Sequence, residues 1–347
     1  MRNRRLRILP AILAAAVLLL PSCRREMFVI DDGLYIDMTL GRNIAYVDTA
    51  TLKMPEVMTA AMYDPATGKS VLTDYLTPPV APMYVPIGSY DCLLYNFSSE
   101  ANIVENASSR DSIYIHTSQI RGATGNLFTT MVRYVLTYTK ADFDVEELEM
   151  PLVEQPDYFW CGHNSFEVPL RYTGSPDIHY PVSCPVITCN GRLTIKQIGG
   201  AKNISTVQAF ITNLAGGLYL WSGEPEGKPS AISFDASVRS ESSSTAARSE
   251  SASDDIVGTF TCYGKLADTP GHRNDLYLVF TDNVGKQYLY VYDVTEKVQQ
   301  SVDFHIDLSF ELGETEIDIP DPDPESYGGG FSPTVGEWDE ETIYINL

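Results

Sequence analysis

The sequence lacks the short motifs by which catalytic chains are usually recognised. It has no H-E-x-x-H pair, no G-x-S-x-G elbow, no phosphate-cradling loop and no dinucleotide-binding glycine pattern. Histidine is scarce, and none of His116, His163, His179, His272 and His305 stands beside such a motif. A chain without an activated nucleophile, a paired base or a phosphate cradle is predicted not to be an enzyme and to carry no cofactor. Metal-ligand spacing is also missing. Cys161, His163, His179, Cys184 and Cys189 fall close together but match no C-x-x-C pairing, so they read as scattered strand and loop residues. Asp318, Asp321, Asp323 and Glu325 lack the central glycine and ligand spacing of a calcium loop, and their prolines read as a solvated linker. No metal site is predicted.

Positive charge is in short supply, with 24 Lys and Arg against 46 Asp and Glu. Four of the arginines lie in residues 1–22, which hold no acid, so removing that segment moves the formal net charge from -22 to -26. Such a chain is repelled by nucleic acid and by anionic headgroups, which excludes both as partners. Long apolar runs are equally scarce. Ile8 to Leu20 follows Arg2, Arg4, Arg5 and Arg7 and has the length of a signal-peptide core, short of the ~20 residues of a membrane span.

That run ends in Leu-Pro-Ser-Cys, and the order of these residues resembles a bacterial lipobox. In a lipobox the leader is cut before the cysteine and the thiol carries a diacylglyceryl group. Residues 1–22 are therefore expected to be a lipoprotein signal peptide, with Cys23 the lipidated first residue of the mature chain. Each buried methylene contributes about 0.8 kcal/mol, so two or more acyl chains hold a protein on a bilayer. With Cys23 set aside, Cys92, Cys161, Cys184, Cys189 and Cys262 are an odd number and cannot form a complete disulfide framework. A loop closed by Cys184 and Cys189 stays open beside buried free thiols.

Helical periodicity with caps is lacking, whereas period-two alternation recurs throughout. Leu34, Ile36, Met38 and Leu40 alternate with polar neighbours, as do Val302, Phe304, Ile306, Leu308 and Phe310. Further strands are predicted at 57–63, 89–97, 112–116, 128–139, 191–198, 207–211, 276–281 and 287–294. Asp64-Pro65-Ala66-Thr67-Gly68 and Asp282-Asn283-Val284-Gly285 supply turn chemistry between them. Many short strands with regular turns predict an all-β protein built of sandwiches. In Val85 to Asn96, Tyr90, Cys92 and Leu94 face one side and Leu93 and Tyr95, with Phe97 beyond, the other. Two apolar faces predict a central strand. Ser237 to Asp255 is too poor in large apolar residues to order itself and reads as a mobile loop within a second domain.

SCRREMFV after the lipobox, VPIGSYDCLLYN, QPDYFW at Gln155 to Trp160, and the C-terminal GGGFSPTVGEWDEETIYINL occur in an order that resembles a family of uncharacterised Bacteroidetes lipoproteins. That family is related to the fimbrillin superfamily of fimbrial shaft, tip and anchor subunits. The stretch from Gly191 to Gly223, with Gly216-Gly217 and Trp221, resembles the fimbrillin C-terminal domain, Trp221 reading as a core residue. The resemblance implies two tandem transthyretin-like β-sandwich domains after the leader. The expected division is 1–22 signal peptide, 23–160 first sandwich, 161–325 second sandwich and 326–347 a flexible tail ending in a strand.

The tail is the sharpest functional candidate. After Gly328-Gly329-Gly330, Ile343, Ile345 and Leu347 alternate with Thr342, Tyr344 and Asn346, a short strand on a leash of glycines. Such a strand either completes a sheet in another subunit by main-chain addition or folds back on its own domain. The expected function is that of a lipid-anchored structural protein of the cell envelope, a fimbrillin-like subunit or anchor of surface fimbriae. Its partners would be outer-membrane lipid through Cys23 and other fimbrial subunits by strand addition. The rival is a surface lipoprotein that binds glycan or a host ligand through exposed tyrosines.

Overall fold

A computed structural model describes residues 33–321, apart from 43, 47–51, 98, 140–149, 172–173, 197, 241–253, 267–272, 302–304 and 311–316, together with 343–346. The leader, Cys23, the centre of the serine-rich stretch and most of the tail lie outside the described residues.

The alternation in LYIDMTL puts Leu34, Ile36 and Met38 on one buried face of β1 (Leu34–Leu40). This strand lies parallel to β10 (Ile178–Cys184) and antiparallel to β4 (Val80–Pro82). A second sheet, antiparallel throughout, runs β3 (Ser70–Leu76), β2 (Met58–Tyr63), β5 (Gly88–Asn96) and β9 (Cys161–Val168). The two sheets form a sandwich over a core of Ile36, Met38, Met58, Met62, Tyr90, Cys92 and Leu94 with residues from β9 and β10. The turn between β2 and β3 uses Asp64 as foreseen, its carboxylate accepting from the Ala66 and Thr67 amides at 2.8 and 2.9 Å.

As predicted, β5 is central and apolar on both faces, with Tyr90, Cys92 and Leu94 in the sandwich core. Leu93 and Tyr95 lie in a second cluster behind it. Phe97 departs from this pattern: it stands just past the strand and is exposed. The boundary expected after residue 160 does not separate the packed units. Strands β9 and β10 follow it in sequence yet pair with β5 and β1, and the first core runs on to Val186.

Behind the first sandwich, a small sheet joins β6 (Ile103–Glu105), β7 (Tyr114–His116) and β13 (Gly217–Tyr219). It shares a core in which Tyr63, Leu93, Tyr95 and Phe159 of the first unit meet Leu218, Leu220, Tyr263 and Leu266 of the second. Trp221 is partly buried at this junction, with His163 at 4.4 Å between ring centroids and Arg110 5.1 Å over its ring.

The second unit is one continuous sheet. Its path runs β18 (His305–Phe310), β11 (Cys189–Ile195), β15 (Asp254–Cys262), β14 (Pro229–Ser240), β12 (Ile204–Ala215), β16 (Asp275–Asp282), β17 (Gln287–Asp293) and β19 (Ile343–Asn346). A short β8 (Leu152–Val153) pairs with β14 beside that path. The sheet curls, because Phe310 of β18 and Tyr292 of β17, far apart along the path, meet with ring centroids 5.5 Å apart. Inside the curl lie Leu193, Ile195, Ala209, Ile211, Phe234, Leu278, Phe280 and Tyr290 among others. The serine-rich stretch joins the ends of the β14–β15 hairpin, paired as far as Ser240 and Asp254.

Residues 128–139, predicted as a strand, form instead part of an α-helix, α1 (Ala123–Thr139). Threonine and aromatic residues give this segment strand-like propensity. Phe128, Met131 and Val132, at helical i, i+3, i+4 spacing, pack on the convex face of the sheet against Phe210, Tyr277, Val279, Leu289 and Val291. The Phe128 ring stacks on Phe210 at 5.7 Å. Thr129 and Thr130 hydroxyls bond back to the Gly125 and Asn126 carbonyls, which absorbs their polar groups into the helix. Tertiary burial thus overrides local preference. A second, short helix, α2 (Thr295–Gln300), leads from β17 towards β18. Among the described residues no helix is long and apolar enough to cross a membrane.

Candidate functional site

The chain leaves the second unit by a fixed strap. Ile317 and Ile319 are buried in its core, while Gly199 and Asp318 form a parallel bridge. The Asn203 amide donates to the Ile319 and Pro320 carbonyls and to the Asp321 carboxylate at 3.0–3.1 Å. A hydrogen bond from Lys202, 2.9 Å away, is the largest influence holding the Asp321 carboxyl below its ordinary range. Gly200 permits the close approach: its backbone is left-handed, at φ 65°, and a Cβ there would stand 1.8 Å from the Ile319 oxygen. The segment read from sequence as a solvated linker is therefore docked as far as Asp321, because its two isoleucines alternate into the core. Asp323 and Glu325 lie outside the described residues.

Past the strap, the main chain returns as β19, parallel to β17. Ile343, Tyr344, Ile345 and Asn346 stand opposite Leu289, Tyr290, Val291 and Tyr292. Thr342 and Leu347 lie outside the described residues. The receiving strand is apolar on both faces: Tyr288, Tyr290 and Tyr292 point into the curl, and Leu289 and Val291 point towards α1. It is therefore a central-type strand in composition, and without β19 it would be the sheet edge. An apolar edge with free main-chain groups is a template for pairing with another chain. The Tyr290 hydroxyl donates to the Asp318 carbonyl at 3.1 Å, so strap and receiving strand are tied together.

From Asp321 to Ile343 the chain has enough residues to reach at most about 75 Å when fully extended. The same terminal strand can thus lie on its own β17 or on an equivalent edge of a neighbour. Pairing across four residues supplies about four hydrogen bonds of about 1 kcal/mol each. Ordering four backbone residues costs about 4–8 kcal/mol. On these numbers the main-chain balance runs from about zero to about 4 kcal/mol against pairing, so the main chain of this strand adds no net stability to its own unit.

A second feature was not foreseen. The exposed large apolar side chains among the described residues all fall between Tyr46 and Leu170. Three of them, Val57, Tyr75 and Phe97, line a shallow cleft of about 600 Å³ with Pro55, Glu56 and Asn96. Tyr75 and Phe97 are 58% and 59% exposed and stand 5.8 Å apart at 46°, so much of each ring is open to a ligand. Asn96 holds the floor, its side-chain oxygen accepting from the Trp160 amide at 2.7 Å. Sequence placed Val57 and Phe97 inside strands; that they stand just past the ends of β2 and β5, with Tyr75 exposed on β3 beside them, is visible only in the fold.

The cysteines and histidines considered for zinc are not brought together. Cys161, Cys184 and Cys189 are buried in three different clusters, His163 packs tilted against Trp221, and His179 pairs with Asp37 at 2.8 Å. Among the described residues no group of three or more His, Cys, Asp or Glu side chains could hold a metal ion. Cys92, Cys161, Cys184, Cys189 and Cys262 are free thiols, so Cys184 and Cys189 are not bridged. Cys23 lies outside the described residues.

No protein-family model and no curated protein matches the sequence. Solved structures do match. A "putative adhesin" from Bacteroides ovatus aligns over 83% of this chain and 93% of its own, at 16% identity and a TM-score of 0.53. The fimbrial anchor protein Mfa2 from Porphyromonas gingivalis aligns over 79% of this chain and 88% of its own, at 12% identity and a TM-score of 0.44. The first likeness carries the fold, which the chain shares with the Bacteroides ovatus protein. Other matching structures are described as Bacteroides adhesins, cell adhesion proteins and polysaccharide-binding proteins and a Porphyromonas gingivalis fimbrial tip protein.

Proposed function

We propose that this chain is a lipid-anchored structural protein of the cell envelope, a fimbrillin-like subunit or anchor that joins other subunits by exchange of its terminal strand. The observation that carries the reading is the pairing of Ile343–Asn346 with the apolar strand β17, beyond the strap docked at Ile317 and Ile319. A strand so placed contributes little to its own unit and offers a neighbour a ready main-chain partner. The lipobox supports removal of residues 1–22 and acylation of Cys23, which would hold the acidic chain to the outer membrane through lipid. The fold shared with a Bacteroides ovatus protein described as an adhesin sits comfortably with this role.

The test is direct. Labelled palmitate should enter the wild-type chain and be lost in Cys23→Ala, and the chain should be recovered by mass spectrometry in purified surface fibres. Absence from the fibres would overturn the fimbrial role, and labelling that survives Cys23→Ala would overturn the anchor.

The cleft at Tyr75 and Phe97 favours a second reading, in which the protein also binds an uncharged glycan. Exposed rings cover the apolar faces of sugars while the Glu56 carboxylate and the nearby amide meet hydroxyls. A glycan array in which Tyr75→Ala and Phe97→Ala retain full binding would refute it.

A further inference from the structure

Two of the buried cysteines face one another. Cys189 is the first residue of β11 and Cys262 the last of β15, and the antiparallel register sets them directly opposite. Cβ atoms of directly opposed residues in an antiparallel pair stand about 4.5–5.5 Å apart, within a small adjustment of the separation a disulfide needs. Both side chains are almost fully buried and lie in the same core cluster. The facing Cys262 thiol, with burial, keeps the Cys189 thiol well above its ordinary pKa. The other three described cysteines are dispersed on β5, β9 and β10, where none stands opposite another in register.

We infer that Cys189 and Cys262 are a disulfide-forming pair, closed when the chain folds in the presence of a disulfide oxidant. One thiolate attacks the oxidant's sulfur and displaces a thiolate. The second then attacks the mixed disulfide and displaces the other. The new S–S bond has lost two protons and two electrons, both taken up by the oxidant as it becomes two thiols. Burial in the finished core suppresses the thiolate, so closure belongs to folding, before the core is sealed.

The position gives the bond a purpose. Val186 belongs to the core of the first unit, Ile187 and Tyr263 pack into the junction, and the buried Thr188 hydroxyl accepts from the Phe159 amide at 3.0 Å. Cys189 is therefore the point where the chain passes from one unit to the next, and Cys262 is the point where β15 returns to the same junction. A bond there would pin β11 to β15 at the end that is loaded when the units are pulled apart, and would close the loop that carries the serine-rich stretch. The inference draws on export only for a natural oxidant, and its test is independent of the anchor.

The test refolds the full chain in a mixture of oxidised and reduced glutathione, unfolds it in denaturant with an alkylating reagent, and maps the peptides by mass spectrometry. The expected product is a joined Cys189–Cys262 peptide two hydrogens lighter than the separate thiols, with Cys92, Cys161 and Cys184 carrying the alkyl label. The oxidised protein should melt roughly 5–10 °C above its reduced form, and Cys262→Ser should melt alike with or without oxidant. Alkylated Cys189 and Cys262 in the oxidised sample would overturn the inference. So would a bond from either of them to another cysteine, or equal melting of oxidised and reduced wild type.

Discussion

Removing residues 328–347 separates a strand that belongs to its own sheet from one held there for exchange. The pairing of Ile343–Asn346 with Leu289–Tyr292 is four residues long and parallel. At about 1 kcal/mol for each of about four hydrogen bonds, against about 4–8 kcal/mol for ordering the backbone, it adds little net stability. The deletion should therefore lower the unfolding free energy by less than ~2 kcal/mol, and the melting point by no more than ~5 °C. Hydrogen exchange should quicken locally, at amides of β17 left without a partner, while β12 and β16 keep their protection. In cells the shortened chain should reach the envelope but fail to enter fibres. Urea unfolding, exchange read by mass spectrometry and fibre purification make the three measurements. A loss above ~4 kcal/mol would refute the energetic argument, since the strand would then be integral to its own unit. Wild-type recovery of the shortened chain in fibres would refute strand exchange.

Phe128→Ala should cost about 3–5 kcal/mol in urea unfolding, because it empties the contact between α1 and the rings of Phe210 and Tyr277. Gly200→Ala should destabilise by more than about 1 kcal/mol from the left-handed backbone alone. It should also speed exchange of the Ile319 amide, which now bonds the Gly199 carbonyl at 3.2 Å. For Asp307, burial pushes the carboxyl up, but hydrogen bonds from Arg192 and Ser309 outweigh it and leave the pKa lowered. Its stabilisation is therefore present above the unfolded pKa and disappears as pH falls through the lowered folded value. Asp307→Asn should be weaker than wild type by less than about 1 kcal/mol at pH 7 and equal to it in strong acid, as read by unfolding across a pH series.

Much of the sheet structure was legible because burial alternates along single strands. Leu34 to Leu40 and His305 to Phe310 carry the pattern openly, Met58 to Tyr63 is instead a continuous buried run, and Asp64 and Asp282 mark the β2–β3 and β16–β17 turns with side-chain bonds to nearby amides. The helix was hidden for the opposite reason. Its threonines suit a strand, and the surface that decides the matter is built from β12, β16 and β17, more than seventy residues downstream. The division between units was hidden because β9 and β10 pair with partners far earlier in the chain. At the candidate site the alternation in the tail announced a strand, while the identity of its partner strand is a matter of topology. The cysteine pair was invisible for the same reason, since Cys184 is near Cys189 in sequence and Cys262 is near it in space.

Helix α1 precedes in sequence the sheet that covers it. A chain threaded outward from its N-terminus presents Phe128, Met131 and Val132 before any of β12, β16 or β17 has emerged. During that interval the apolar face has no native surface to rest on. The first sandwich waits too, since β9 and β10 arrive only after the helix. Neither unit is therefore a cassette that a single cut in the gene could lift out intact.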